Sequence, residues 1–269
     1  MKKSRRKALG QHFLTNRTLL RKIVKTINPQ PEDLVIEVGP GKGVLTSPLA
    51  EEAGKVIAIE RDGSFIPTLR RKHIPHLLIL EKDVLKVDFK NLLEKEKDAF
   101  KKVKLVGNLP YSISSPLLFK ILQDKELFSE CVFLFQKEVA QRVCAKPGSK
   151  KFAPLSIIFQ IHFSTQIHAF IPPQAFSPPP QVESALISLK RRRSPLFHIE
   201  NDARFLELLK GAFRHRRKTL HNNLERLNLS SSLIHKAFQN LDIKKDARPE
   251  QLTISQFVSL FDFIYSEKT

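Results

Sequence analysis

Cysteine is almost missing from this chain. Cys131 and Cys144 are the only two, and neither has partners at metal-ligand spacing. A disulfide framework and a structural metal site therefore have no support, and free thiols in a reducing compartment are the simpler account. No apolar run reaches the ~18 residues needed to cross a bilayer, and the N-terminus lacks the apolar core of a secretory signal. Acidic residues are absent from positions 1–31, a trait of organelle transit peptides, but Ser4 is the only serine there, which argues against one. No segment repeats. The expectation is a soluble cytoplasmic protein that needs neither a membrane nor a metal.

Acidic residues are also scarce overall. Lys and Arg total 46 against 27 Asp and Glu, a formal charge of +19. A charge that large opposes a compact fold by self-repulsion and favours a polyanionic partner, nucleic acid ahead of an acidic membrane surface. The plain alternative is a solvated basic surface. With 269 residues and 41% hydrophobic content, the chain can bury a full core as one large domain or one plus a smaller one.

The chain opens on a basic cluster that includes Arg5, Arg6 and Lys7, followed by Gly10-Gln11-His12-Phe13-Leu14. Such a cluster is either a solvated tail or a grip on phosphates. Leu19, Leu20, Ile23, Val24 and Ile27 then recur at helical spacing, with Thr15 or Asn16 as N-cap. Leu34–Val38 reads as a buried strand feeding Gly39-Pro40-Gly41-Lys42-Gly43 and a helix from about Val44 to Glu52. Strand, glycine turn and helix together present backbone N–H groups and a positive helix end to a ligand, which is a nucleotide-type pocket.

Three further strand ends extend that pocket. Strand Val56–Ile59 ends in Glu60, about 20 residues beyond the glycine turn, where a carboxylate accepts from both ribose hydroxyls. Strand Leu77–Leu80 is followed by Asp83, placed to accept from an adenine amine, while Val84 covers the ring. Strand Leu105–Gly107 stops at Asn108-Leu109-Pro110-Tyr111, a polar, aromatic turn at the edge where α/β proteins keep their chemistry. The glycine spacing is G-x-G-x-G rather than the G-x-G-x-x-G of dinucleotide folds, which disfavours a nicotinamide cofactor.

Taken together, Gly10–Leu14, Glu37–Gly43, Glu60, Asp83, Asn108–Pro116, Phe176–Ser184 and Arg216–Leu220 with Asn222-Asn223-Leu224 resemble the ribosomal RNA adenine dimethyltransferases that use S-adenosylmethionine. The last of these stretches looks more like the small-subunit members than the erythromycin-resistance methylases. The resemblance implies an α/β, Rossmann-like class I methyltransferase domain, its seven-stranded sheet mostly parallel, with a smaller all-α C-terminal domain. It implies S-adenosyl-L-methionine as cofactor and S-adenosyl-L-homocysteine as product. Contacts to the cofactor then fall on His12, Leu14, Gly39, Glu60, Asp83 and Asn108, alongside Gly41 and Val84 of the pocket above. His12 contacts it through either its backbone or its imidazole. The implied substrate is two adjacent adenines in the 3′-terminal hairpin of small-subunit RNA, met within an immature subunit by a monomeric enzyme.

An adenine amine is a poor nucleophile because its lone pair is delocalised into the ring. The Asn108 side-chain oxygen and the Leu109 carbonyl could hold its two hydrogens and turn that lone pair toward the methyl group. No strong base is then needed, which matches the lack of a carboxylate in the tetrapeptide. Pro110 fixes the turn and Tyr111 offers a stacking face. The proline-stiffened Phe176-Ser177-Pro178-Pro179-Pro180 holds an aromatic that, by the resemblance, packs on the flipped adenine opposite the tyrosine; otherwise Phe176 is one of 20 phenylalanines and a core residue.

Further along, a helix is expected near Pro116–Leu122, a strand at Val132–Phe135, a helix at Lys137–Ala145 and a basic loop at Lys146–Lys151. The apolar run from Pro154 through Phe163 reads as a buried helix in which His162 is a satisfied core residue, followed later by a strand at Val182–Leu189. The boundary is set in the run Lys190–Pro195, giving a catalytic domain over 1–193 and a helical domain over 194–269, with Ser231 or Ser232 capping one helix and Thr253 starting the last. Arg191, Arg214, Arg216, Arg217 and Lys218 are expected to join Arg5, Arg6 and Lys7 on RNA phosphate. Two other readings remain open: a non-catalytic RNA-binding assembly factor of the same fold, and a large-subunit resistance methylase.

Overall fold

The computed structural model describes residues 12–96 and 99–266. Strand β1 (Phe13–Leu14) leads into helix α1 (Arg17–Ile27), whose N-cap is Asn16: its side chain accepts from the Leu19 N–H. Ile23, Val24 and Ile27 form the buried stripe of α1. Then come β2 (Asp33–Val38), α2 (Thr46–Glu52), β3 (Lys55–Glu60), β4 (Leu77–Glu81) and β5 (Lys102–Asn108). These are followed by α3 (Ser114–Gln123), β6 (Glu130–Gln136) and α4 (Lys137–Val143). Helix α5 (Pro154–His162), β7 (Phe163–Ile171), β8 (Phe176–Ser177) and β9 (Ser184–Arg191) complete the sheet-forming part.

Seven strands form one sheet in the order β4-β3-β2-β5-β6-β9-β7. Strands β4 through β6 are mutually parallel and β9 runs antiparallel to β6. Every residue of β2 is buried, as expected of a central strand covered on both faces. Crossovers from β2 run toward β3 and β4, while β5 and β6 lie on its other side, so the strand order reverses between β2 and β5. Ligands of open α/β sheets bind beyond the carboxyl ends of the strands at such a reversal.

One strand was not anticipated. The expected helix ends at His162, and β7 follows directly, at the edge of the sheet. A second departure is the pairing of β1 with β8, which joins Phe13 to Ser177 and Leu14 to Phe176. Thr15 N–H reinforces it by donating to the Ala175 carbonyl.

The chain forms two compact units: Met1–Ala140 with Ser164–Arg191, and Gln141–Phe163 with Arg192–Thr269. The break at Arg191 lies two residues before the expected end of the first domain at 193, but the segment Gln141–Phe163 groups with the C-terminal helices instead of the sheet. Those helices are α6 (Asp202–Ala212), α7 (Leu220–Glu225), α8 (Ser231–Asn240) and α9 (Ile254–Ser266). The N-cap of α8 is Ser230 rather than Ser231 or Ser232. Within this unit Phe205, Leu208, Leu209, Phe257 and Leu260 are buried, and Phe205 meets Phe261 edge-on at 5.2 Å. His162 is buried and bonded through Nε2 to Asp202 Oδ1 at 3.1 Å, a satisfied core histidine. Among the described residues no helix is long and apolar enough to cross a membrane.

Candidate active site

The glycine turn follows β2 with Gly39 at φ +68° and Gly41 at +53°, left-handed backbone that side chains rarely adopt. Space is short as well: a Cβ on Gly41 would stand 3.0 Å from the Phe13 ring. The β1 segment therefore lies against the turn, with Lys42 Nζ 5.1 Å from the Phe13 centroid. On β5, a Cβ at Gly107 would meet the Val38 carbonyl oxygen at 2.5 Å, so this glycine lets the ends of β2 and β5 approach closely.

Two adjoining hollows open here and share Gly39. Phe13, Leu14, Glu37, Gly107 and Asn108 line the first; Glu60, Asp62, Asp83, Val84, Pro110 and Ile113 line the second. Glu60 Oε2 accepts from the Gly41 N–H at 2.9 Å and Oε1 from the Asp62 N–H at 2.8 Å. Each oxygen keeps a second lone pair for a hydroxyl. Burial raises the Glu60 pKa above the ordinary carboxylate value, and the two backbone donors pull it back down. Asp83 caps the following turn by accepting from the Leu85 N–H at 3.0 Å, and its other oxygen lies 3.8 Å from Arg61.

Glu37 was not singled out from the sequence, yet it is buried on β2 and is one of the residues around the first hollow. Burial pushes its pKa up to about 7, with the nearby Thr46 hydroxyl and Lys72 pulling down and Glu60 adding to the rise. Thr46 does not complete a hydrogen bond to it, and among the described residues Oε2 has no partner. The signal was present in the sequence as a lone acid inside the apolar run Leu34–Val38.

Asn108 ends β5, and its amide nitrogen donates to the His12 carbonyl at 2.8 Å. That bond fixes which way the amide faces and leaves the side-chain oxygen as its acceptor end. The His12 ring bonds the Pro178 carbonyl through Nδ1 at 2.7 Å and lies 5.6 Å from the Tyr111 ring. Leu109 is buried, and Pro110 starts a short turn closed by Ile113 N–H to its carbonyl. The Tyr111 hydroxyl pairs with Ser184 Oγ at 2.8 Å, and burial raises its pKa, so the phenol keeps its proton.

Phe176 departs from the expected open ring. It is 4% exposed and packs in the core with Leu14 and Ile23, because β8 pairs with β1. The structure thus assembles His12, Leu14, Gly39, Gly41, Glu60, Asp83, Val84 and Asn108 to Tyr111 around the carboxyl ends of the strands, with Phe176 covered by its pairing with Leu14. Arg191 is elsewhere, at the opposite end of β9, bonded to Glu126 at 3.0 Å and to the Phe128 carbonyl at 3.2 Å. Arg5, Arg6 and Lys7 lie outside the described residues.

Arg214, Arg216, Arg217 and Lys218 are exposed on the turn between α6 and α7, in the second unit. Arg216 donates to the carbonyls of Lys150 and Phe152, tying that turn to the basic loop at Lys146–Lys151. Exposed basic residues of the turn and of the loop thus belong to the same unit.

The family model described as ribosomal RNA adenine dimethylase matches residues 2–266. A protein of Xylella fastidiosa (strain Temecula1) named ribosomal RNA small subunit methyltransferase A is 40% identical over 257 residues, covering 95% of this chain and 94% of its own. A relative of the same name from Geobacter metallireducens is 39% identical over 259 residues, with coverage of 95% and 94%. Among solved structures, a dimethyladenosine transferase from Plasmodium falciparum superimposes with a TM-score of 0.78 at 28% identity, over 93% of this chain and 96% of that one. The 23S rRNA methyltransferase ErmE shares the fold, with a TM-score of 0.71 at 22% identity over 94% and 99%.

Proposed function

This chain belongs to the ribosomal RNA adenine dimethylase family, and from that membership we propose that it dimethylates the exocyclic amines of two adjacent adenines near the 3′ end of small-subunit ribosomal RNA. The observation that carries the reading is the Asn108–His12 bond, which turns the amide of the Asn108-Leu109-Pro110-Tyr111 turn beside the glycine cradle.

The residues present fit S-adenosylmethionine. Glu60 offers two oxygens with spare lone pairs for ribose hydroxyls, and Asp83 with Val84 suits an adenine amine and ring face. The unpartnered Glu37 oxygen in the first hollow suits a cationic group such as an α-ammonium. When bound, this cofactor supplies a methyl group activated by a sulfonium.

The protein's task is then orientation. Asn108 Oδ1 and the Leu109 carbonyl accept the two hydrogens of the target amine, so its lone pair faces the methyl group, a gain in positioning rather than in basicity. The proton leaves after transfer, when the nitrogen is cationic, and no carboxylate is needed beside it. Tyr111, held by Ser184, carries the stacking face, and Phe176 backs that wall from the core. A target held in a hairpin is flipped out to reach them.

The basic surface of the second unit serves RNA phosphates, and the enzyme works as a monomer on immature small subunits in the cytoplasm. The test is transfer of labelled methyl groups to small subunits lacking these modifications, followed by mapping of the labelled nucleotides. Label in both neighbouring adenines is the expected result; label in large-subunit RNA, or none, refutes the reading.

A further inference from the structure

An isolated exposed hydrophobic residue is ordinary on a protein surface. Phe170 is not isolated. It is 49% exposed near the end of edge strand β7, with Val182, 45% exposed, in the segment preceding β9. Lys137 Nζ stands 5.1 Å from the Phe170 ring centroid and is held by Glu183 at 2.5 Å. The Lys137 N–H also donates to the Glu183 carbonyl, so the ammonium is anchored at both backbone and side chain. The next residue, Ser184, carries the hydroxyl that pairs with Tyr111. The carboxylate that holds the cation therefore belongs to the residue preceding the partner of the proposed stacking tyrosine, and the open aromatic ring, the cation and that tyrosine all belong to the first unit.

We propose that Phe170 and Lys137 form a subsite for the RNA nucleotide flanking the target adenine, its base stacked on the Phe170 ring and its phosphate on the Lys137 ammonium. This rests on the reading that the substrate is an adenine in RNA. Two features select this occupant. Bases stack on open aromatic rings regardless of identity, and the cation beside the ring complements a phosphodiester in a chain that carries +19. Flipping one base leaves its neighbour unstacked on one side, and a ring at that point replaces the lost stacking partner. Glu183 keeps the ammonium in place before RNA arrives.

The experiment compares wild type, Phe170→Ala and Phe170→Trp in methyl transfer to unmethylated small subunits, with S-adenosylmethionine affinity measured by calorimetry on each. Loss of one base stack predicts a KM for the particle raised about 5- to 100-fold in Phe170→Ala. Cofactor affinity and kcat stay within about twofold, and Phe170→Trp restores the KM. An unchanged KM in Phe170→Ala overturns the subsite, as does a wild-type dimer in sedimentation that this substitution converts to monomer, which would make the patch a contact between copies. If wild type itself transfers no methyl to adenine, the functional reading fails and the subsite with it, an outcome distinct from a selective effect at Phe170.

Discussion

Glu37 is a buried carboxyl whose charge changes close to neutral pH. A carboxyl held at about 7 keeps its proton more firmly in the folded chain than in the unfolded one. The Glu37 contribution to the stability of the cofactor-free protein therefore falls as pH rises from about 4.5 to about 7, by on the order of 3 kcal/mol, and levels off above. Denaturant titrations across that window should show the fall, and Glu37→Gln should flatten it. The same ionisation makes S-adenosylmethionine bind more tightly at pH 8 than at pH 6, a difference that calorimetry should find reduced in Glu37→Gln. Asn108→Ala removes both the oriented acceptor and the bond to His12. It should lower turnover on the order of 10²-fold while RNA affinity, read by filter binding, changes little.

At the scale of elements, the close approach of β2 and β5 depends on a missing side chain. Gly107→Ala places a methyl against the Val38 carbonyl, a backbone atom that cannot rotate away. Its cost should be about 1–3 kcal/mol in chemical denaturation, with weakened cofactor binding as the strand ends part. Much of this layer could be read from the residues alone: the apolar runs of β2, β3 and β6, the glycine turn, and the stop at Asn108. Strand β7 escaped because Ser164, Gln166 and Phe170 are exposed on a sheet edge, so its pattern lacks the continuous apolar run that marked the central strands. The sequence left Phe176 between a stacking ring and a core residue, because its cover is set by pairing with Leu14, a contact across more than 160 residues that no local window contains. Glu37 was visible as an anomaly, but only the fold shows that it borders a hollow with an unpartnered oxygen.

For the whole molecule, charge decides how the enzyme meets its substrate. Arg214, Arg217 and Lys218 are exposed, whereas Arg216 is committed to the carbonyls of Lys150 and Phe152. Replacing Arg217 or Lys218 by Gln should reduce the slope of log affinity against log salt by about 1 each. Arg216→Gln should also loosen the Lys146–Lys151 loop, visible as faster amide exchange there. The pairing of β1 with β8 bears on when activity begins. The glycine turn and the first five parallel strands are made early, but the residue that orients Asn108 is clamped by a carbonyl at Pro178. The hydrogen bonds that set the Asn108 amide are thus complete only when Pro178 is present, so a chain cut before that residue should bind no cofactor in calorimetry and transfer no methyl.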